Sequence, residues 1–366
     1  MDNHVYVLIQ QTQAGDVDRQ RQSALELGSR DISAHRAEVI QALCHLLGSE
    51  HIHVREAAEE ALIKIGGRDV VAALLPYLKN SSTTALNYAV EILSKIGNVG
   101  IDLIVTLLNS KDHDVRKFGC DILGNLRYAD SVYDLIELLN DPHINVAIAA
   151  GEALGKLGNA EAVPPLIRTL RHPDTWMKCI AAEALGKIGE PRAVEALITI
   201  PLDEEPIVLY SVIKAMGNLH DQRVVPYIIS ILRSNPMFAS SAVQTIENLA
   251  TQQGDNVYVE LKTAGVTTSF IRLLSSENID VLRSAIHLVG KLHLKEAVPP
   301  LKNLLRHDSP EIVADVIAAL VQIEEPGVVT SIFQQVLAQT TDTQLKDRLQ
   351  QALNGLMIDE KKCLKL

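Results

Sequence analysis

The stretch "AGEALGKLGNAEAVPPLIRTL" (Ala150–Leu170) is followed 31 residues later by "AAEALGKIGEPRAVEALITI" (Ala181–Ile200). The same marker runs along most of the chain. It ends at Gly66, Gly97, Arg127, Gly158, Gly189, His220 and His293, at intervals of 31, 30, 31, 31, 31 and 73 residues. A second echo pairs "EAVPPLIRTLRHPD" (Glu161–Asp174) with "EAVPPLKNLLRHDS" (Glu296–Ser309). A period near 31 constrains folding more than any other feature, because each unit must bury its apolar face on a copy of itself.

Each period holds two helical segments. In "VREAAEEALIKIG" the residues Val54, Ala57, Ala58, Ala61, Leu62 and Ile65 fall on one helical face, and Gly66 ends it. A shorter segment such as "AVPPLIRTL" follows, its prolines in the first turn where no amide donor is needed. Turns such as "NDPHIN" and "RHPDTW" join one period to the next. The hydrophobic fraction of 47% comes with only 4% aromatic residues. Ala and Leu therefore supply the core, as suits closely packed helices.

The expected fold is all-α: a right-handed α-solenoid of about ten helical pairs. The long interval contains one longer, armadillo-like unit near 233–274, with an extra short helix or loop over 251–266. Residues 1–14 are expected as an N-terminal cap, 15–338 as the repeat solenoid, and 339–366 as a capping helix over 342–353 and a tail. Leu154, Leu157, Leu166, Leu185 and Ile188 are expected core residues.

The units resemble short HEAT repeats of about 30 residues, the bacterial type found in bilin-attaching lyase subunits. Glu152–Gly158 with Ala162–Ile167, and Glu183–Gly189 with Ala193–Ile198, carry the resemblance. It implies an α-solenoid and, for function, either a protein-binding scaffold or a lyase-like or chaperone-like factor acting on a chromophore–protein complex. A HEAT-like hydroxylase family holds iron through repeated His-Glu dipeptides, and this chain has none.

Charge and side-chain chemistry narrow the function further. The formal net charge of −11 argues against nucleic acid as the main partner. Cys44, Cys120, Cys179 and Cys363 lack metal or disulfide spacing, which suits a reducing, cytoplasmic setting. The start lacks a signal-peptide pattern, and no apolar run is long enough to span a membrane. The terminal "CLKL" has Lys365 where a prenylation signal needs an aliphatic residue.

Histidines recur in the turns (His51, His53, His113, His143, His172, His307). Stacked helices stand about 8–10 Å apart, so these side chains are expected in turn roles and not on a shared metal. The acidic "LDEEPIV" turn reads as a helix start. No catalytic residue, cofactor site or metal site is expected. The expected partner is another protein, held on a face lined by the second helices, with Tyr133, Asp134, Glu137, Arg168, Tyr227 and Lys302 as candidate contacts.

Two stability measurements test the repeat reading. Leu185→Ala should cost about 2–5 kcal/mol in unfolding, loosening neighbouring repeats first, and an unchanged Tm would contradict it. Limited proteolysis should nick 251–266 and the segment after Gly355 before the regular turns.

Overall fold

In the computed structural model the described residues are 3–80, 82–234, 236–253, 256–263, 267–341 and 343–363. Among them every regular element is helical and none is a strand. The chain divides into two units, Met1–Glu190 and Pro191–Leu366.

The first unit is built on the longer helices Val17–Leu27, Ile52–Ile65, Thr83–Lys95, His113–Leu126, Ile144–Leu157 and Thr175–Ile188. Each packs on the next, and shorter helices such as Arg36–Leu46, Val132–Leu138 and Val163–Thr169 lie between them in sequence. The second unit repeats the plan with Pro206–Leu219, Ala239–Gln253, Ile279–Lys291 and Pro310–Ile323. The chain is an all-α solenoid.

The pairing has a definite phase. Val132–Leu138 packs chiefly on the long helix that follows it, Ile144–Leu157, and Val163–Thr169 and Val298–Leu304 behave likewise. The sequence reading opens each unit on the long helix, whereas packing joins a short helix to the long one after it. A periodic sequence has no marked beginning, so only contacts can set where the unit starts.

Turn chemistry explains the boundaries. Asp16, Ser82, Asp112, Asp174, Asn278 and Ser309 sit at long-helix N-caps, their side chains accepting backbone N–H bonds of the first turn. The recurring marker ends each helix in left-handed backbone, with φ of 71° at Gly158 and 75° at Gly189. Where the marker carries Arg127, His220 or His293, φ is still 50°, 51° and 50°, so tertiary packing imposes the turn on side-chain-bearing residues.

Consecutive long helices touch backbone to backbone. A Cβ added at Gly124 would lie 2.8 Å from Cα of Ala153, one at Gly155 would lie 3.0 Å from Cα of Ala184, and one at Gly290 would lie 3.2 Å from Cα of Ala319. The "ALGK" motif is thus a seat: its glycine receives the alanine of the next repeat. Leu154, Leu166 and Leu185 are fully buried as expected. Leu157 and Ile188 are only half-buried, because the last helical turn rotates them away from the seam.

Side chains also link one repeat to the next. Arg116 grips Asp141 through Nε–Oδ2 at 2.7 Å and Nη2–Oδ1 at 2.8 Å, and its Nη1 donates to the Ser110 carbonyl at 2.8 Å. Burial alone would push the Asp141 carboxyl up, but the Arg116 guanidinium and the His143 N–H outweigh it and hold it below the usual range. The imidazoles of His113 and His143 stack with centroids 3.7 Å apart and planes within 6°. Helices about 8–10 Å apart thus still let turn histidines of neighbouring repeats meet, because the side chains close the gap between backbones.

The long unit near 233–274 contains the additional helix Asn256–Thr263 between Ala239–Gln253 and Thr267–Leu273. Val257 and Leu261 pack one face of it, and Val259 lies exposed on the other. Residues 254–255 and 264–266 of the expected break lie outside the described residues. The final helix runs Thr343–Cys363, through most of the segment read as a tail.

Two substitutions isolate the turn. Nothing lies within 4 Å of a Cβ at Gly158, so Gly158→Ala should cost only the backbone term, about 1–2 kcal/mol. Arg127→Gly should stabilise the fold, and a lower Tm for it would contradict the turn argument. Asp141→Asn should cost about 3 kcal/mol at neutral pH, because it leaves the Arg116 charge buried without its partner. With the native carboxyl depressed, Asp141's contribution is present above its unfolded value of 3.8 and lost as pH falls through the lower native one. An acid unfolding midpoint unchanged in Asp141→Asn would contradict this.

Candidate protein-binding groove

The repeat register lines up one residue per long helix into rows, and these rows form hollows in each unit. In the first unit a hollow of about 550 Å³ lies between Thr83–Lys95 and His113–Leu126, lined by Asn87, Glu91, Lys95, Lys117, Phe118 and Asp121 among others. Opposite charges close on one another there. Lys95 Nζ reaches Glu91 at 2.6 Å and Glu59 at 2.9 Å, and Lys117 Nζ reaches Asp121 at 2.8 Å. Hydrogen bonds to Glu91 and Glu59 push the Lys95 ammonium up to about 12.

The second unit carries a larger groove, about 770 Å³, crossing Pro206–Leu219, Ala239–Gln253, Ile279–Lys291 and Pro310–Ile323. Its lining differs in chemistry. Beside its charged residues this groove sets the amides Asn218, Gln244, Asn248 and Gln322, with Tyr210 exposed on its wall. Amide side chains both donate and accept, so such a lining suits a ligand that offers both. Arg283 is occupied by Asp315 at 2.7 Å. Glu247 lies half-buried between helices, with His287 Nδ1 3.8 Å away. Burial pushes the Glu247 carboxyl up and the His287 imidazole down, the latter helped by Lys291 and opposed by Asp315.

The structure distributes the six sequence candidates elsewhere. Tyr133, Asp134 and Glu137 are exposed on Val132–Leu138, and Arg168 on Val163–Thr169, all in the first unit. Tyr227 and Lys302 belong to short helices of the second. Tyr227 is half-buried and its hydroxyl donates to the Ile200 carbonyl at 2.8 Å, with burial pushing its pKa up to about 12. None of the six lines the hollows just described, which belong to the long helices. The overlooked signal was in the repeat marker itself: "GNL" at 217–219 and "ENL" at 247–249 place Asn218 and Asn248 in one row.

The other expected chemistry is likewise located. Cys44, Cys120 and Cys179 are buried, and burial pushes the Cys44 and Cys120 thiols up to about 12, leaving them protonated and unreactive. Ligand atoms of Asp112, His113 and Asp114 come within 4.8 Å of one another on an exposed turn. There Asp112 caps the Asp114 N–H at 2.9 Å and His113 meets Asp114 at 3.2 Å, so the cluster serves the helix start. Among the described residues no helix is long and apolar enough to cross a membrane.

Comparison with known proteins bears on the fold. No curated protein sequence matches the chain. Among solved structures, Kap95p matches with a TM-score of 0.66 at 14% identity, over 95% of this chain and 57% of that one. Kap121p matches with a TM-score of 0.62 at 14% identity, over 96% of this chain and 45% of that one. An engineered protein matches with a TM-score of 0.43 at 19% identity, over 96% of this chain and 98% of that one. The chain thus spans little more than half of Kap95p and less than half of Kap121p. The family description HEAT repeats fits residues 5–94, 134–203 and 267–354, more than half of the chain. With its glycine–alanine seats and its succession of helical pairs, the chain belongs to the HEAT-repeat proteins.

Proposed function

We propose that this chain is a protein-interaction scaffold that holds a segment of another protein in the long-helix groove of its second unit. The observation that carries the reading is the chemistry of that groove. Beside the Arg283–Asp315 pair, its walls offer the amides Asn218, Gln244, Asn248 and Gln322 and an exposed tyrosine in a hollow of about 770 Å³, whereas both lysines of the first-unit hollow are held by internal ion pairs. A polypeptide segment presents N–H and C=O groups that need both kinds of partner. Tyrosine adds contact area at small entropic cost.

The structural neighbours support the same class of role. Kap95p, a solenoid of similar fold, binds RanGDP. The reading places the site on the long helices and moves it away from Tyr133, Asp134, Glu137, Arg168, Tyr227 and Lys302 on the short ones.

Site-specific photocrosslinking tests the placement. A photoreactive residue at Gln244 in the full chain should capture a protein from the native cell, and one at Asp134 should not. Tyr210→Ala combined with Asn248→Ala should abolish that capture while leaving helicity unchanged and unfolding free energy within about 0.5 kcal/mol of the parent. Capture from position 134 alone would return the site to the short helices.

A further inference from the structure

Between Gly217 and Gly290 the glycine seat of the groove is broken, and the residue that breaks it is charged. In "MGNL" (216–219) Gly217 faces the next long helix, where a Cβ would meet the Thr245 hydroxyl at 3.2 Å. One repeat later "IENL" (246–249) carries Glu247 at the same register, and the following repeat restores Gly290, facing Ala319. Glu247 therefore stands in a seam that its neighbours keep free of side chains, and its carboxyl opens into the groove. Resting on the reading of this groove as a protein-binding site, we propose that Glu247 is its anchor and receives one lysine or arginine side chain of the bound segment.

The surroundings leave this carboxylate in need of a cation. His287 is its nearest ion-pairing partner among the described residues, at 3.8 Å, beyond hydrogen-bond distance. Burial and Lys291 hold the imidazole below its usual value of 6.5 against the pull of Asp315, so at neutral pH His287 brings no charge. Arg283 faces the same groove but is held by Asp315, and Asp280 adds only negative charge. Lys214 is the remaining cation of the lining. A half-buried carboxylate without a bonded cation is unfavourable, and an incoming ammonium or guanidinium relieves it. Asn248, next in sequence and on the same groove, accepts from Gln244 Nε2 at 3.3 Å, and its own amide N–H is placed to donate to the main chain beside that anchor.

Burial raises the Glu247 carboxyl in the folded chain above its ordinary 4.5. The folded state then binds this proton more tightly than the unfolded one, and stability falls as pH rises from that ordinary value through the raised one. A groove residue that costs stability at neutral pH fits a binding group better than an architectural one.

The experiment joins both readouts. A random dodecapeptide phage library is selected against the full-length chain, and the enriched peptides are synthesised. Enriched peptides should share one Lys or Arg. Replacing it by norleucine, or the protein's Glu247 by Gln, should each weaken binding at least tenfold, and together no more than either alone. Glu247→Gln should raise Tm at pH 7, with the gain vanishing below pH 4.5. Enriched peptides without a shared basic residue, or ones that bind Glu247→Gln equally well, would overturn the anchor while leaving the groove as the site. Peptides insensitive to Tyr210→Ala with Asn248→Ala would overturn the groove reading itself. A Tm lowered by Glu247→Gln would show that Lys214 already neutralises the carboxylate, and would also overturn the proposal.

Discussion

The contact on which both units depend is that of one long helix laid closely on the next, at its tightest where a glycine receives an alanine, as at Gly124, Gly155 and Gly290. With Cα of Ala153 only 2.8 Å from where a Gly124 side chain would begin, the two backbones are as near as helices come. That closeness explains a core rich in Ala and Leu and poor in aromatics, since there is no room in the seam for rings. It also explains the period. Each seat fixes the rotation of the following helix, so residues at equivalent register fall into rows across the repeats.

Rows turn small sequence changes into surface chemistry. In the first unit, glutamate and lysine at i and i+4 neutralise one another, as Glu91 and Lys95 do at 2.6 Å, and lysine reaches back to the preceding repeat at Glu59. Such exposed pairs add little stability, but they leave few groups free for a ligand. The second unit adds Asn218, Asn248 and Gln322 beside its own Arg283–Asp315 pair, and carries Glu247 at a register where Gly217 and Gly290 flank it. The two units share an architecture and differ in what their long helices offer.

Most of the architecture was legible because its causes are local. Asp112 and Asp174 announce helix starts, Gly158 and Gly189 announce helix ends, and Leu154 and Leu185 recur on the buried face. The turns at Arg127, His220 and His293 were legible only by their place in the period, because those residues do not favour the left-handed backbone they adopt. The hollows were less legible. Tyr133, Arg168 and Lys302 lie on short helices, and composition does not say which helices form hollows. The stacked rings of His113 and His143 escaped for a related reason: a spacing between helix axes does not give the reach of side chains.

The amino-acid sequence by itself determined the helices, their ends, their period and the family, because capping, propensity and apolar periodicity act within a few residues along the chain. The tertiary structure alone decided which short helix pairs with which long one. It also decided that the long helices line the grooves, and that Glu247 lies half-buried beside a neutral His287. A periodic pattern reads the same from any starting point, and which face becomes a groove depends on contacts between residues a whole repeat apart.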